Sequence, residues 1–197
     1  ASLTFNDAVV TSNRTSNITV SGVVDVKGTS AFTLNATTND LTLGGLLTVD
    51  PNAIFDNGGE NQINNSGGTG SILINGTFIT RHTKGFAGST TAIPSITPTL
   101  GGSSTVEYAL TGNQIISPFN YINITFSGSG TKTTQSAINV DTDGLVKITG
   151  TAIVDATSNL ADTGTNNTAF TMDGGRLILR TGGTQPNMRG TYTLTGG

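Results

Sequence analysis

The chain has 197 residues, a formal net charge of −3, 11% charged residues, 27 Gly, and neither Cys nor Trp. A chain of this length is one ordinary domain with room for a sizeable core, and so little charge argues against ordinary disorder. The acidic balance disfavours a nucleic-acid partner, the lack of Cys removes disulfides, thiolate catalysis and Cys-ligated zinc, and no apolar run reaches the roughly 18 residues of a membrane span.

Abundant Thr suits a pleated surface, while Gly and Asn suit tight corners, so a β protein with many turns is expected. The chain opens on a strand-like Leu3–Phe5 (LTF), as a mature or excised product would. Ile18–Val26 (ITVSGVVDV) then sets a pattern of alternating apolar residues around a central glycine. Variants of it return at Leu41–Val49 (LTLGGLLTV), Ile72–Thr80 (ILINGTFIT) and Val146–Val154 (VKITGTAIV), with a looser copy at Phe170–Leu179 (FTMDGGRLIL). Ile18 and Leu41 are 23 residues apart, Ile122 and Val146 are 24, Val146 and Phe170 are 24, and Phe170 and Tyr192 are 22.

A repeat of about 22–24 residues with several short strands predicts an all-β fold, a parallel β-helix (β-solenoid), in which one turn of chain makes one rung. Right-handed crossovers are the default for such connections. The alternative is an antiparallel β-sandwich, which short strands and the possible hairpin turns Asn57-Gly58, Asn75-Gly76, Asp143-Gly144 and Asp173-Gly174 also suggest. A sandwich gives no reason for the spacings to agree.

Two stretches interrupt the pattern. Asp56–Gly70 (DNGGENQINNSGGTG) reads as a polar insertion that lengthens one rung. Arg81–Ser104 reads as a long loop insertion that leaves the coil, because Pro94 and Pro98 cannot donate to a central ladder. No low-complexity linker divides the chain, so residues 1–197 are expected to form a single β-solenoid domain. Neither end carries a charged cap, and open rungs expose backbone and core side chains. Leu3, Phe5, Tyr192 and Leu194 are therefore candidate assembly ends, joined by a second copy or by neighbouring repeats of a longer protein.

Candidates for chemistry are few. His82, the only histidine, lies in Arg81-His82-Thr83-Lys84 at the start of the long insertion. Arg81, His82 and Lys84 form a candidate cationic binding site for an acidic glycan; the competing reading is a solvated strand end. Asp141 and Asp143 (DTDG) share a face if extended, and in a turn could chelate calcium, which prefers clustered oxygen ligands. Asp56, Asn57, Glu60 and Asn61 form a second such cluster. Neither matches a known calcium loop, and Asp in turns more often bonds its own backbone. Asp25, Asp155 and Asp173 read as outward or corner residues. No G-x-S-x-G context surrounds any serine, so no catalytic residue is assigned.

The sets Thr131/Thr133, Thr149/Thr151 and Thr191/Thr193/Thr195 could order water on a flat face, as on ice-binding solenoids. The predicted outward row Thr19, Thr42, Leu73, Lys147, Thr171 is, however, a broken ladder. N-x-[ST] sequons occur at Asn13, Asn17, Asn35, Asn64, Asn75, Asn123 and Asn166, which is compatible with secretion.

The stretch Gly112–Thr133, GNQIISPFNYINITFSGSGTKT, resembles a phrase common in large secreted surface proteins of Bacteroidota, and the flanking ITVSGVVDVKGTSAFTLN and INVDTDGLVKITGTAIVDATSNL look like their filler rungs. The resemblance implies an extracellular β-solenoid segment of a long cell-surface, adhesin-like protein of the kind exported by the type IX system. It offers no catalytic residues. The sequence is therefore expected to encode a non-enzymatic extracellular structural or adhesive module, possessing no cofactor beyond a conceivable Ca2+ and stacking end to end into a fibre. The alternatives are a carbohydrate-binding or polysaccharide-degrading β-helix, with surface glycans as partners, and an ice-binding solenoid.

Overall fold

A computed structural model describes residues 1–34, 39–157, 160–162, 168–179 and 190–195. Among the described residues there is no helix, and stacked parallel strands make a β-solenoid of about 7 turns, the architecture that the repeat predicts. Two compact units are distinguished: Ala1–His82 with Phe86–Ser104, and Thr83–Gly85 with the chain from Thr105 onward.

In the first unit the first three turns each contribute three short strands. The first has β1 (Leu3–Asn6), β2 (Val9–Thr11) and β3 (Ile18–Val20); the second β4 (Val24–Lys27), β5 (Ala31–Thr33) and β6 (Leu41–Leu43). The third has β7 (Leu46–Val49), β8 (Ile54–Asp56) and β9 (Ile63–Asn65), followed by β10 (Ser71–Ile74), β11 (Thr77–Thr80) and the short β12 (Thr99–Leu100). They stack in the orders β1-β4-β7-β10-β12, β2-β5-β8-β11 and β3-β6-β9. Alternation decides which residues enter the core, because successive side chains point to opposite faces of a strand. Leu3, Val24, Leu47 and Ile72 lie in one register row and Phe5, Val26, Val49 and Ile74 in another. Of these, all but the half-buried Leu3 and Phe5 of β1 are buried.

Aromatic rings form a ladder along this core. Phe5 stacks on Phe32 at 4.5 Å, Phe32 meets Phe55 edge-on at 5.5 Å, Phe55 stacks on Phe78 at 5.4 Å, and Phe78 meets Phe86 at 5.1 Å. The repeat glycine has a steric reason. A Cβ on Gly45 would stand 2.4 Å from the Gly22 carbonyl oxygen of the turn before, so adjacent corners approach too closely for a side chain.

The structure corrects two features of the expected register. Leu41 does pair with Ile18, but Ile72 pairs with Leu47, not with the start of the preceding block. The partner of Leu41 is Ile63, inside the Asn-rich stretch. Asp56–Gly70 is thus no insertion: Ile63 is buried, β9 completes the turn, and polar neighbours hid a strand with a single inward apolar residue. Arg81–Ser104 is largely irregular, yet the part within this unit does not leave the coil. Phe86, Ala92 and Ile93 are buried, the Ala92 carbonyl accepts from Ile63 N at 2.7 Å, and β12 pairs with β10 in parallel. Pro98 immediately precedes β12 and Pro94 lies in a bend, so neither has to donate to a ladder.

The second unit contains β13 (Thr105–Tyr108), β14 (Gln114–Ile116), β15 (Asn120–Phe126), β16 (Thr131–Thr134), β17 (Ile138–Ile148), β18 (Ile153–Ala156), β19 (Leu160–Asp162), β20 (Ala169–Met172), β21 (Arg176–Leu179) and β22 (Tyr192–Leu194). One sheet runs β13-β15-β17-β20-β22, with β19 also pairing with β17, and another runs β14-β16-β18-β21. The spacings that place Phe170 opposite Val146 and Tyr192 opposite Phe170 are as expected. Val146 itself pairs with Ile124, because β15 and β17 shift register between Tyr121 and Asn123. The core rows are Val106, Ile124, Val146, Phe170, Tyr192 and Tyr108, Phe126, Ile148, Met172, Leu194.

Two polar devices are buried in this unit. The Tyr108 and Tyr121 hydroxyls are 2.6 Å apart, Ser117 N donates to Tyr108 Oη at 3.0 Å, and Tyr121 Oη donates to the Ser117 carbonyl at 2.7 Å. Burial, reinforced by Tyr108, holds the Tyr121 hydroxyl well above its ordinary pKa. Lys132 is fully buried, and its ammonium donates to the carbonyls of Leu110 at 2.5 Å and Gly112 at 3.2 Å.

Candidate functional site

The cationic run divides between the units. Arg81 and His82 follow β11 in the first unit's fourth turn, where each faces an acid of the turn before. Arg81 Nε bonds both carboxylate oxygens of Asp56, at 3.1 and 3.0 Å, and its backbone N donates to Asn57 Oδ1 at 2.7 Å. His82 is buried, with Nδ1 3.4 Å from Glu60 Oε2. These contacts engage Asp56 and Glu60, while Asn57 and Asn61 are buried and bond to one another's backbone, Asn57 Nδ2 to the Asn61 carbonyl at 3.0 Å and Asn61 Nδ2 to the Asn57 carbonyl at 2.7 Å. The second oxygen-rich cluster is therefore a packed corner.

Lys84 is exposed and belongs to the second unit, in the turn Thr83–Gly85. That turn lies along the edge of β14. Ile115 N donates to the Thr83 carbonyl at 2.8 Å, and Gly85, with φ +100°, comes so close that a Cβ would stand 2.6 Å from the Ile115 carbonyl oxygen. Only glycine accommodates both the left-handed backbone and the approach. Beside the turn is an open groove of about 440 Å³ lined by Thr83, Lys84, Asn113, Gln114, Ile115, Thr131 and Thr133. Asn113 Oδ1 accepts from Thr131 N at 2.9 Å, fixing that wall, and the inward Gln114 pairs in register with Lys132. Among the described residues the lining has hydroxyls, amides, one ammonium and one aliphatic surface, and no carboxylate.

Asp141 and Asp143 are exposed and lie in a bulge. Tyr121 pairs with Val140 and Asn123 with Leu145, so the four residues from 141 to 144 stand opposite Ile122 alone. Asp143 has φ 59°, so plain strand alternation does not govern this pair. Among the described residues no group of three or more His, Asp or Glu is gathered to hold a metal. Asp25 lies 3.4 Å from Lys27 Nζ, Asp155 is buried where an outward or corner residue was expected, and Asp173 pairs with Lys147 at 3.1 Å. A hydrogen bond from Thr149, and then one from Lys147, hold the Asp173 carboxyl below its ordinary pKa.

The threonines do not form one ladder. The row through Thr133 reads Ile115, Thr133, Asp155, Ile178, and the row through Thr42 reads Thr19, Thr42, Asn64. Leu73 belongs to another row, Thr4, Asp25, Thr48, Leu73, Thr99. Several sequon asparagines work as rung-to-rung ties: Asn17 Oδ1 accepts from Asp40 N, and Asn123 Oδ1 from Leu145 N. Asn35 and Asn166 lie outside the described residues.

The assembly-end candidates fall on edge strands. β1 and β22 each stand at the end of their sheet order. Leu3 and Phe5 are half-buried, whereas Tyr192 and Leu194, which continue the two core rows, are 54% and 65% exposed. The groove residues Asn113, Gln114 and Ile115 were not among the sequence candidates, since nothing in GNQI says that a distant turn will wall it. Comparison with protein-family models, curated proteins and solved structures finds no match.

Proposed function

We propose that the chain is a non-enzymatic structural module of an extracellular, cell-surface protein, joined end to end through its open strand edges. The observation that carries this reading is the run of the core rows out to β22. Tyr192 and Leu194 continue rows that are buried as far as Phe170 and Ile148, with Met172 half-buried, and are themselves more than half exposed. An edge strand with apolar residues is a template for a further parallel strand, which would cover those side chains. The resemblance of Gly112–Thr133 to secreted surface proteins supports the extracellular setting, and the tying of Arg81 and His82 to acids speaks for scaffold over catalysis.

Isolated, the chain is expected to use that edge on a second copy. Sedimentation velocity across a concentration series should show growing oligomers for the native sequence. The double variant Tyr192→Lys/Leu194→Lys should sediment as a monomer while keeping the native β-sheet circular dichroism. Unchanged association of the variant, or no association of the native chain, would refute the reading.

A further inference from the structure

We infer that the β22 edge is completed by the first turn of a second copy, strands β1, β2 and β3, so that the joint is directional, tail to head, and not a symmetric meeting of two β22 edges. The inference rests on the end-to-end reading above and names the surface that receives β22.

The direction is set by the backbone. In a parallel sheet a strand uses alternate residues for its two neighbours, so the face a side chain takes and the side its N–H and C=O bond to are locked together. Here inward residues bond forward, to the following turn. In the first unit the N–H groups of Leu3, Ser12 and Ile18 donate to the carbonyls of Val23, Thr33 and Asp40 at 2.9, 2.8 and 2.8 Å. The Val26 and Val49 carbonyls accept from Asp50 N and Asn75 N at 2.9 and 2.8 Å. The second unit keeps the same rule: the carbonyls of Tyr108, Phe126, Ile148 and Met172 accept from Ser127, Thr149, Asp173 and Thr195 of the turn after. Outward residues, by the same alternation, bond backward.

Under this rule the two ends are unlike and complementary. β1, β2 and β3 each stand at an end of a sheet order, and their exposed outward residues Thr4, Thr11 and Thr19 direct N–H and C=O away from the turn that follows. At β22 the Thr191 carbonyl and the Thr195 N–H bond back to β20, so the backbone groups of Tyr192 and Leu194 are directed forward. A strand that receives β22 in parallel must meet it with the backward-directed groups of outward residues. The first turn offers these. A second β22 does not, because two forward edges can meet only if one strand is turned round, which makes the pair antiparallel and breaks the pattern of every pairing within the chain. The side chains agree: Leu3 and Phe5, half-buried and two residues apart, head rows that are buried in the turns after them, as Tyr192 and Leu194, also two apart, end theirs. A heterologous joint of this kind leaves one edge of each sort at the ends of an open oligomer, which is the condition for a fibre.

The chain has no Cys, so single cysteines report the joint directly. Thr193, outward and exposed on β22, would neighbour an outward residue of the first turn across strands about 4.8 Å apart, within disulfide reach. The test mixes full-length Thr193→Cys, labelled with nitrogen-15, with an equal amount of unlabelled Thr4→Cys, Thr11→Cys or Thr19→Cys under oxidised glutathione, and sorts the linked dimers by mass. All four positions are exposed, so the fold is kept. Thiols held together in a joint see each other at an effective concentration in the millimolar range, so at micromolar protein one mixture should give a mixed dimer at least about tenfold above the dimer of Thr193→Cys alone. Adding Tyr192→Lys/Leu194→Lys to the Thr193→Cys chain should remove that excess. Predominant self-linking of Thr193→Cys, no excess in any of the three mixtures, or an excess that survives the lysines would each overturn the inference while leaving association itself standing. Sedimentation of the native chain as a monomer at every concentration would instead overturn the end-to-end reading, and this inference with it.

Discussion

Replacing Phe55 by Ala should be among the most damaging single changes in the first unit. The ring is fully buried and sits between two others, edge-on to Phe32 at 5.5 Å and stacked with Phe78 at 5.4 Å with an interplanar angle of 11°. A buried Phe→Ala change costs about 3–5 kcal/mol through lost transfer energy and the cavity left behind. Each aromatic pair adds about 0.5–1.5 kcal/mol beyond area burial, so the loss of two places this site near the top of that range, about 4–5 kcal/mol. Phe5 is the internal control. It is half-buried on the edge strand β1 and stacks on Phe32, so Phe5→Ala should cost about 1–2 kcal/mol. The difference of about 3 kcal/mol corresponds to roughly 1–2 M in the urea midpoint at ordinary slopes. Urea unfolding followed by circular dichroism at matched concentration reads it directly. Equal midpoints for the two variants would refute the claim that a continuous aromatic ladder carries this core.

Tyr121→Phe removes a hydroxyl that donates to the buried Ser117 carbonyl and bonds Tyr108, and should cost about 1–3 kcal/mol in the same assay. The native protein should also lose stability as pH rises past the ordinary tyrosine value near 10.0. There the unfolded chain releases a proton that folded Tyr121 retains, so unfolding is favoured; below that value the contribution is fully present. A urea midpoint for the native sequence that fell no faster above pH 10 than that of Tyr121→Phe would count against this. At the other end of the scale, the Asp173 carboxyl should titrate below the ordinary aspartate value, and Thr149→Val should raise its midpoint more than Lys147→Met, as carbon-detected NMR can measure. Because the Asp173 carboxyl is held low, its small contribution to stability is present above the unfolded pKa and disappears as pH falls through the folded one.

How much could be read from the sequence depends on what each position faces. Inward residues repeat, because a rung can stack only on a rung of like shape; this is why Ile18 and Leu41, or Val146 and Phe170, are found opposite one another as their spacing predicts. Strands with little apolar content are invisible to the same reasoning. β9 (Ile63–Asn65) has one inward apolar residue among asparagines, and missing it displaced Ile72 from its true partner Leu47. Bulges hide in the same way: Asp143 in a left-handed conformation lets four residues stand opposite one, so a fixed count fails there.

The candidate sites were less legible, since they depend on partners far away in sequence. Arg81 and His82 look like a free basic run until Asp56 and Glu60 of the previous turn are seen beside them. Lys84 was legible as a cation, but its groove is assembled from residues some 30 to 50 positions downstream.

The most direct test of the structural role is electron microscopy of the purified chain over a range of concentrations, beside Tyr192→Lys/Leu194→Lys. Joining through the β22 edge predicts ordered fibres for the native sequence, with an axial spacing near the ~4.8 Å of stacked strands, and short separate particles for the variant. Short separate particles for the native chain at every concentration, or fibres that persist in the variant, would contradict it.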